Sequence, residues 1–176
     1  MKRFLKLFFI ISIFFYNTGI VKSENLSLAY VDVDIIINNS KAGKKFFSEI
    51  NQSIQKKKKE FDEIENDLKS KENEILKQKN ILSEEDLNNK IKELRSKIND
   101  FNNQKKQFNN QINNKRLKGS KDLVKSLHQI LTDYASENQL SLILQKKNII
   151  IGKTNLDITK SIMEIFNKKV KSVNSS

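Results

Sequence analysis

The chain has 176 residues, with 33 Lys and Arg against 21 Asp and Glu, a formal net charge of +12, one His and no Cys, Trp or Pro. The lack of cysteine excludes disulfides and thiolate metal sites, and a single imidazole gives little basis for metal ligation or proton relay, so no catalytic, metal or cofactor-binding residues are expected. The positive excess favours acidic partners through long-range attraction without naming them. The abundance of Asn, Lys, Ile and Phe carries little weight, because coding bias in a genome produces the same excess.

Met1, Lys2, Arg3 and Lys6 precede an apolar run from Leu7 to Tyr16, and Val21-Lys22-Ser23 follows at the spacing of a cleavage signal. Residues 1–23 therefore read as a secretory signal peptide, cleaved near Ser23/Glu24. The rival reading, an uncleaved anchor, suffers because the run is shorter than the ~20 residues a bilayer span needs. The expected mature chain, residues 24–176, keeps 29 basic against 21 acidic residues, a net +8.

Residues 26–33, Leu-Ser-Leu-Ala-Tyr-Val-Asp-Val, alternate and favour a first strand. A helix follows, with Asp34 or Ser40 as candidate caps. From Phe47 onward, apolar residues recur in steps of three and four: Ile50, Ile54, Phe61, Ile64, Leu68, Ile75 and Leu82. After Ser83-Glu84-Glu85-Asp86, which suits the start of a new helix, the pattern resumes at Leu87, Ile91, Leu94, Ile98, Phe101, Phe108 and Ile112. These residues form the seam of a long antiparallel helical hairpin with its tip near Ser83. In that register Ile50 faces Leu117, Ile54 faces Ile112, Leu68 faces Ile98 and Leu76 faces Ile91. Lys57, Lys71, Gln78 and Lys105 interrupt the seam and predict loosely packed arms, with snorkelling side chains the ordinary explanation.

Past Ile112 the phase slips to Leu117, Val124, Leu127, Leu131 and Tyr134, with Gly119 at the changeover. The register sets Gly119 against Ser48, which fits either a hinge or close helix packing. Residues 140–145 and 148–152 then read as two strands around a two-lysine turn, and a helix from about Leu156 to Val170 closes the chain, capped by Asn155 or Asp157. The domain reading is a body of 24–46 and 119–176, carrying an arm of 47–118. Unpaired strand edges in so small a body are expected to be covered by self-association, with Leu28, Tyr30, Val31, Val33, Leu142, Leu144, Ile149 and Ile151 as the assembly residues.

In order and spacing, these features resemble the OmpH-like periplasmic chaperone family typified by Skp. The likeness rests on the signal, on Leu28-Ala29-Tyr30-Val31-Asp32 followed by Ser40-Lys41-Ala42-Gly43-Lys44, on the lysine-rich hairpin, and on Leu142-Ile143-Leu144 with the Asp157-Ile158-Thr159 helix start. It implies an α+β fold in which a coiled-coil tentacle projects from a small β-rich trimerisation body. It also implies a homotrimer in the periplasm that holds unfolded outer-membrane β-barrel proteins without ATP. Lys56, Lys57, Lys58 and Lys59 are candidate residues for client attraction, although a solvated face is the plainer account of such a run. Anionic lipid or lipopolysaccharide is a candidate further partner. Nucleic acid is not expected, because a secretory signal and acidic residues dispersed among the lysines argue against it. The alternative function is an exported coiled-coil scaffold or membrane-surface protein of the envelope, which would show no preference for unfolded chains. An enzyme is the least favoured class, since His128 beside Leu127 on a long helix reads as a surface residue.

Overall fold

The computed structural model describes residues 26–173; the expected signal peptide, 1–23 with cleavage near Ser23/Glu24, lies outside the described residues. In chain order the elements are β1 (Leu28–Val31), α1 (Val33–Asn39), α2 (Lys41–Gln78), α3 (Glu84–Glu137), β2 (Leu142–Gln145) and α4 (Thr159–Lys169), with 3-10 turns at Lys146–Asn148 and Thr154–Leu156. The protein is mostly helical, with long helices and one small sheet.

β1 and β2 pair in parallel, Leu28 with Leu142 through Val31 with Gln145. Parallel strands need a crossover connection, and here α1, α2 and α3 together supply it. The other edge of β1 is occupied by Asp157 in an isolated bridge to Tyr30, and Ile158 N donates to Tyr30 O at 2.9 Å. The expected third strand, 148–152, does not form. Residues 146–148 coil into a 3-10 turn, and Ile149, Ile150 and Ile151 find no strand partner among the described residues. Ile150 and Ile151 are consequently 99% and 91% exposed.

Val33, expected in the first strand, is instead the first residue of α1. Asp32, not Asp34, caps that helix: its Oδ1 accepts from Ile35 N at 2.9 Å, satisfying one of the otherwise orphaned N-terminal donors. Ser40 caps α2, with Oγ accepting from Gly43 N at 3.1 Å in a fully buried setting. The α1–α2 bend brings the Gly43 backbone so close to Ile37 O that any Cβ at 43 would overlap it. Lys41 N, a donor left over at the same start, reaches Asn167 Oδ1 on α4 at 2.7 Å. α4 itself starts at Thr159, later than expected, and Asp157 Oδ1 accepts from Thr159 N at 3.0 Å.

α2 has 38 residues, about 57 Å at ~1.5 Å per residue, and the 54-residue α3 runs back alongside it and beyond. Ser83 caps α3 as expected, its Oγ accepting from Asp86 N at 3.1 Å, with Glu84, Glu85 and Asp86 in the first turn. Acidic residues there are favoured by the positive end of the helix dipole. The main core lies at the hairpin root, where Ile36, Phe46, Ile50, Leu123, Leu127, Ile162 and Phe166 bring α1, α2, α3 and α4 together with almost no exposure.

The register needs one correction at this root. Gly119 does not meet Ser48, which is exposed, but lies under the ring of Phe46, and a Cβ at 119 would overlap the ring's far edge. α3 passes through Gly119 without a break, so close packing of the two helices, rather than a hinge, accounts for the glycine. Leu117, expected opposite Ile50, points outward and is 70% exposed.

Replacing Gly119 thus sets a gain in helix propensity of about 1 kcal/mol against an overpacking cost of about 1–3 kcal/mol. Gly119→Ala should lower the urea-unfolding free energy by about 1 kcal/mol in the wild type. In a Phe46→Leu background, which removes the overlapping ring atoms, the same change should raise it. Equal effects in both backgrounds would contradict the close-packing account.

Candidate functional site

The arm presents a long surface, and its seam is only partly buried. Ile50, Leu68, Phe101 and Ile112 are buried; Ile54, Phe61, Ile64, Ile75, Leu82, Leu87, Ile91, Leu94 and Phe108 are half-buried; Ile98 is exposed. Midway along, Phe61 lies edge-on to both Phe101 and Phe108, with centroids 5.7 Å and 5.9 Å away. Such aromatic pairs add specific geometry to apolar burial. This cluster falls close to the register expected from the heptads, as does the contact nearer the tip, where Lys90 Nζ donates to Gln78 Oε1 at 3.0 Å.

The polar seam residues are accommodated rather than buried. Lys57 pairs with Glu60 at 2.7 Å while its ammonium stands 5.1 Å from the Phe61 ring centre, and Lys105 stands 5.1 Å from that of Phe101. Lys71 pairs with Asp67 on its own helix. The ammonium groups of Lys57 and Lys105 thus stand over ring faces and that of Lys71 beside a carboxylate, all at the solvent edge of the seam. The Lys57 hydrogen bond holds the Glu60 carboxyl below its usual range, and those from Lys69 and Lys97 do the same for Glu65 and Glu93. Within the 56–59 run, Lys56, Lys58 and Lys59 are exposed and Lys57 is half-buried. Near the tip, Ile75, Leu76, Leu87, Ile91, Leu94 and Ile98 line an open groove of about 380 Å³ with Lys79 and Arg95 on its rim.

At the other end of the molecule, the expected assembly residues divide into two groups. Tyr30 and Val31 are buried within their own chain, and Val33 and Ile149 are half-buried. Leu28, Leu142, Leu144 and Ile151 are exposed by 38%, 46%, 40% and 91%. Beside β2, an apolar groove of about 400 Å³ runs between the strand and α3, bordered by Val124, Leu127, Leu131, Leu142 and Leu144. His128 lies on its rim as an exposed residue.

Sequence reasoning missed the device that holds the loop after β2. Tyr30 is its post: the phenol donates to Lys153 O at 3.2 Å, and Gly152 packs against the ring, leaving little room for a Cβ. Lys146 Nζ donates to Asp157 Oδ2 at 2.7 Å, tying the start of the loop to its end. Thr159 Oγ1 accepts from Asp32 N at 2.9 Å and thereby links α4 to the end of β1. The only sequence hint was the Asp-x-Thr spacing at 157–159, which signals a turn or cap but not a partner 127 residues away.

Residues 27–166 match the family described as outer membrane protein (OmpH-like). A crystal structure of a candidate OmpH-like outer membrane chaperone from Caulobacter crescentus CB15 is similar, with a TM-score of 0.79 and 14% identity over 90% of this chain and 94% of that one. At that identity the likeness speaks for the fold. No curated protein matches the sequence. Among the described residues, no helix is long and apolar enough to cross a membrane.

Asp157 gives the loop a pH dependence. Partial burial pushes its carboxyl up, but the hydrogen bonds from Lys146 and Thr159 outweigh that and leave it below the ordinary carboxylate range. A carboxyl depressed in the folded state contributes stability above its unfolded value, and that contribution is lost as pH falls through the folded value. Wild type should therefore exceed Asp157→Asn in urea midpoint near neutral pH, with the difference closing between about pH 5 and pH 2. A constant difference across that window would show that the charge does not act.

Proposed function

Because the chain belongs to the OmpH-like outer membrane protein family, we propose that it is an ATP-independent holdase chaperone of the periplasm. In this reading it captures unfolded outer-membrane β-barrel proteins between coiled-coil arms and prevents their aggregation in transit. The observation that carries the reading is the arm itself, two long helices with few buried seam positions beyond the root, so that most of the surface is available to a partner. A rigid pocket suits one shape; an unfolded barrel protein offers many. Its alternating apolar residues aggregate in water, and numerous weak, exchangeable contacts shield them without imposing structure. Several arms around one cavity would raise the effective concentration of each contact. The cationic run 56–59 would add attraction for acidic clients, a contribution that salt weakens.

Three arms require three copies. The open side of β2, with Leu142 and Leu144 exposed, and the unpaired Ile149–Ile151 segment are complementary in kind: one is a strand edge without a neighbour, the other a β-branched run without a strand. Pairing between copies, closing into a homotrimer, would satisfy both. The body would then be 24–46 with 119–176, and the arm 47–118. Export through the signal at 1–23 would place the trimer where its clients pass. Anionic lipid or lipopolysaccharide remains a secondary partner of the same cationic arm.

Native mass spectrometry on residues 24–176, alone and after dilution of a urea-unfolded outer-membrane barrel protein into it, tests the proposal. A trimer that gains one client is expected, and light scattering from the client should fall at equimolar trimer. A monomer or dimer indifferent to the client would instead favour an envelope scaffold. Ile151→Lys, which puts a charge into the proposed contact between copies, should shift the mass toward monomer while leaving helix content intact. Reversing Lys56, Lys57, Lys58 and Lys59 to Glu should weaken capture and flatten its salt dependence; unchanged capture would remove the electrostatic part.

A further inference from the structure

The two helices of the arm differ in chemistry at the same height. Residues 99–114 of α3 read NDFNNQKKQFNNQINN, in which ten of sixteen are Asn or Gln. The stretch of α2 running alongside, 53–68, reads SIQKKKKEFDEIENDL, with nine charged residues and two amides. A genome-wide excess of Asn would load both helices alike, so coding bias does not explain the contrast. Three seam residues of the α3 stretch, Phe101, Phe108 and Ile112, face α2, and the amides occupy the exposed remainder of the helix.

Asn is an indifferent helix former because its side chain competes for nearby backbone groups. In this stretch it does not do so: the structure contains no side-chain hydrogen bond from any of the ten amides, among the described residues. Each therefore faces water with one carbonyl acceptor and two N–H donors available. Charge is nearly balanced there as well, since Asp100 offsets Lys106 and Lys105 leans on the Phe101 ring.

We infer that this amide face of α3 is the surface on which the main chain of an unfolded client rests. The inference depends on the holdase reading above and gives it a chemistry. A peptide group is uncharged and carries one donor and one acceptor; the primary amide is its electrostatic match, and neither repels any client sequence. An extended segment can exchange its hydrogen bonds from one amide to the next along a helix without a preferred register. Water competes for every such bond, so each contributes little and none traps the client. The charged face of α2 at the same height would then supply steering, while the amide face of α3 supplies retention insensitive to salt.

Two multi-site variants, one at five positions and one at four, separate the amide group from its effect on the helix. Asn102, Asn103, Gln107, Asn110 and Asn114 are all exposed, and changing all five to Ala removes the amides while improving helix propensity. Changing the four Asn to Gln, with Gln107 kept, improves propensity too but retains them. Dissociation constants for a urea-unfolded barrel protein, measured by fluorescence at two salt concentrations on the full mature chain, should weaken about tenfold in the Ala set. What remains should be more salt-sensitive than wild type, and the Gln set should bind as wild type does. If the Ala set binds like wild type, or the Gln set is as weak as the Ala set, the inference is wrong although the holdase reading survives. If the Ala set alone alters the native mass, the face seats a second copy and the inference is likewise wrong. Failure of the wild type to bind at all would overturn the holdase reading itself.

Discussion

The parallel pairing of Leu28–Val31 with Leu142–Gln145 requires the chain to leave one end of β1 and return alongside its start, and everything between is built around that closure. An out-and-back helical hairpin meets the requirement only if the two helices hold a single register over their shared length. Ser83 sets the turn at the far end and the Phe46–Gly119 contact sets the spacing at the root. Between these two points the seam can be imperfect, because register errors are penalised at both ends.

That tolerance explains how the arm carries Lys57, Lys71 and Lys105 in positions that a self-sufficient coiled coil would fill with Leu or Ile. Each lysine head is held at the edge of the seam by a ring face or a carboxylate, and the apolar material it displaces is partly restored by the Phe61–Phe101–Phe108 cluster. The core at the root, with Ile36, Leu123, Leu127, Ile162 and Phe166 fully buried or nearly so, supplies the packing that the arm lacks. Local stability should fall from root to tip, as few buried contacts per length imply. A partner that must be released unfolded is better served by that gradient than by a uniformly rigid rod.

Most of the helical architecture was legible because period and capping are local. The heptads from Ile50 to Ile112, the Ser83 and Ser40 caps and the tip position all follow from residues within one or two turns of each other. The body was harder because its ordering contacts join distant segments. Asp32 and Thr159, Lys41 and Asn167, and Tyr30 and Lys153 are bonded across more than a hundred residues, and no periodicity announces such pairs. The segment 148–152 was misread for an instructive reason: Ile149-Ile150-Ile151 has strand propensity, but propensity forms a strand only where an edge is free to receive it. Asp157 occupies one side of Tyr30 and β2 the other, which fills β1, and the 3-10 turn at Lys146–Asn148 stands in place of the tight hairpin that would fold the segment back onto the open edge of β2. The register sets Gly119 within the correct turn of the root, yet its neighbour is Phe46 rather than Ser48, and that neighbour favours close packing over a hinge, the two readings that the sequence leaves open.

The separation between local and distant contacts also orders the way the structure can form. Joining β1 to β2 closes a loop of more than a hundred residues, and the entropy of that closure must be met before the sheet returns anything. The α2–α3 hairpin grows instead from Ser83 by contacts of short sequence separation, which form early and at little entropic cost. Once the hairpin has zipped to the root, Val31 and Ile143 are brought near one another by an ordered element and the remaining closure is short. The arm is then more than a surface for a partner. Its register is the means by which two four-residue strands, each too short to find the other unaided, arrive in pairing distance.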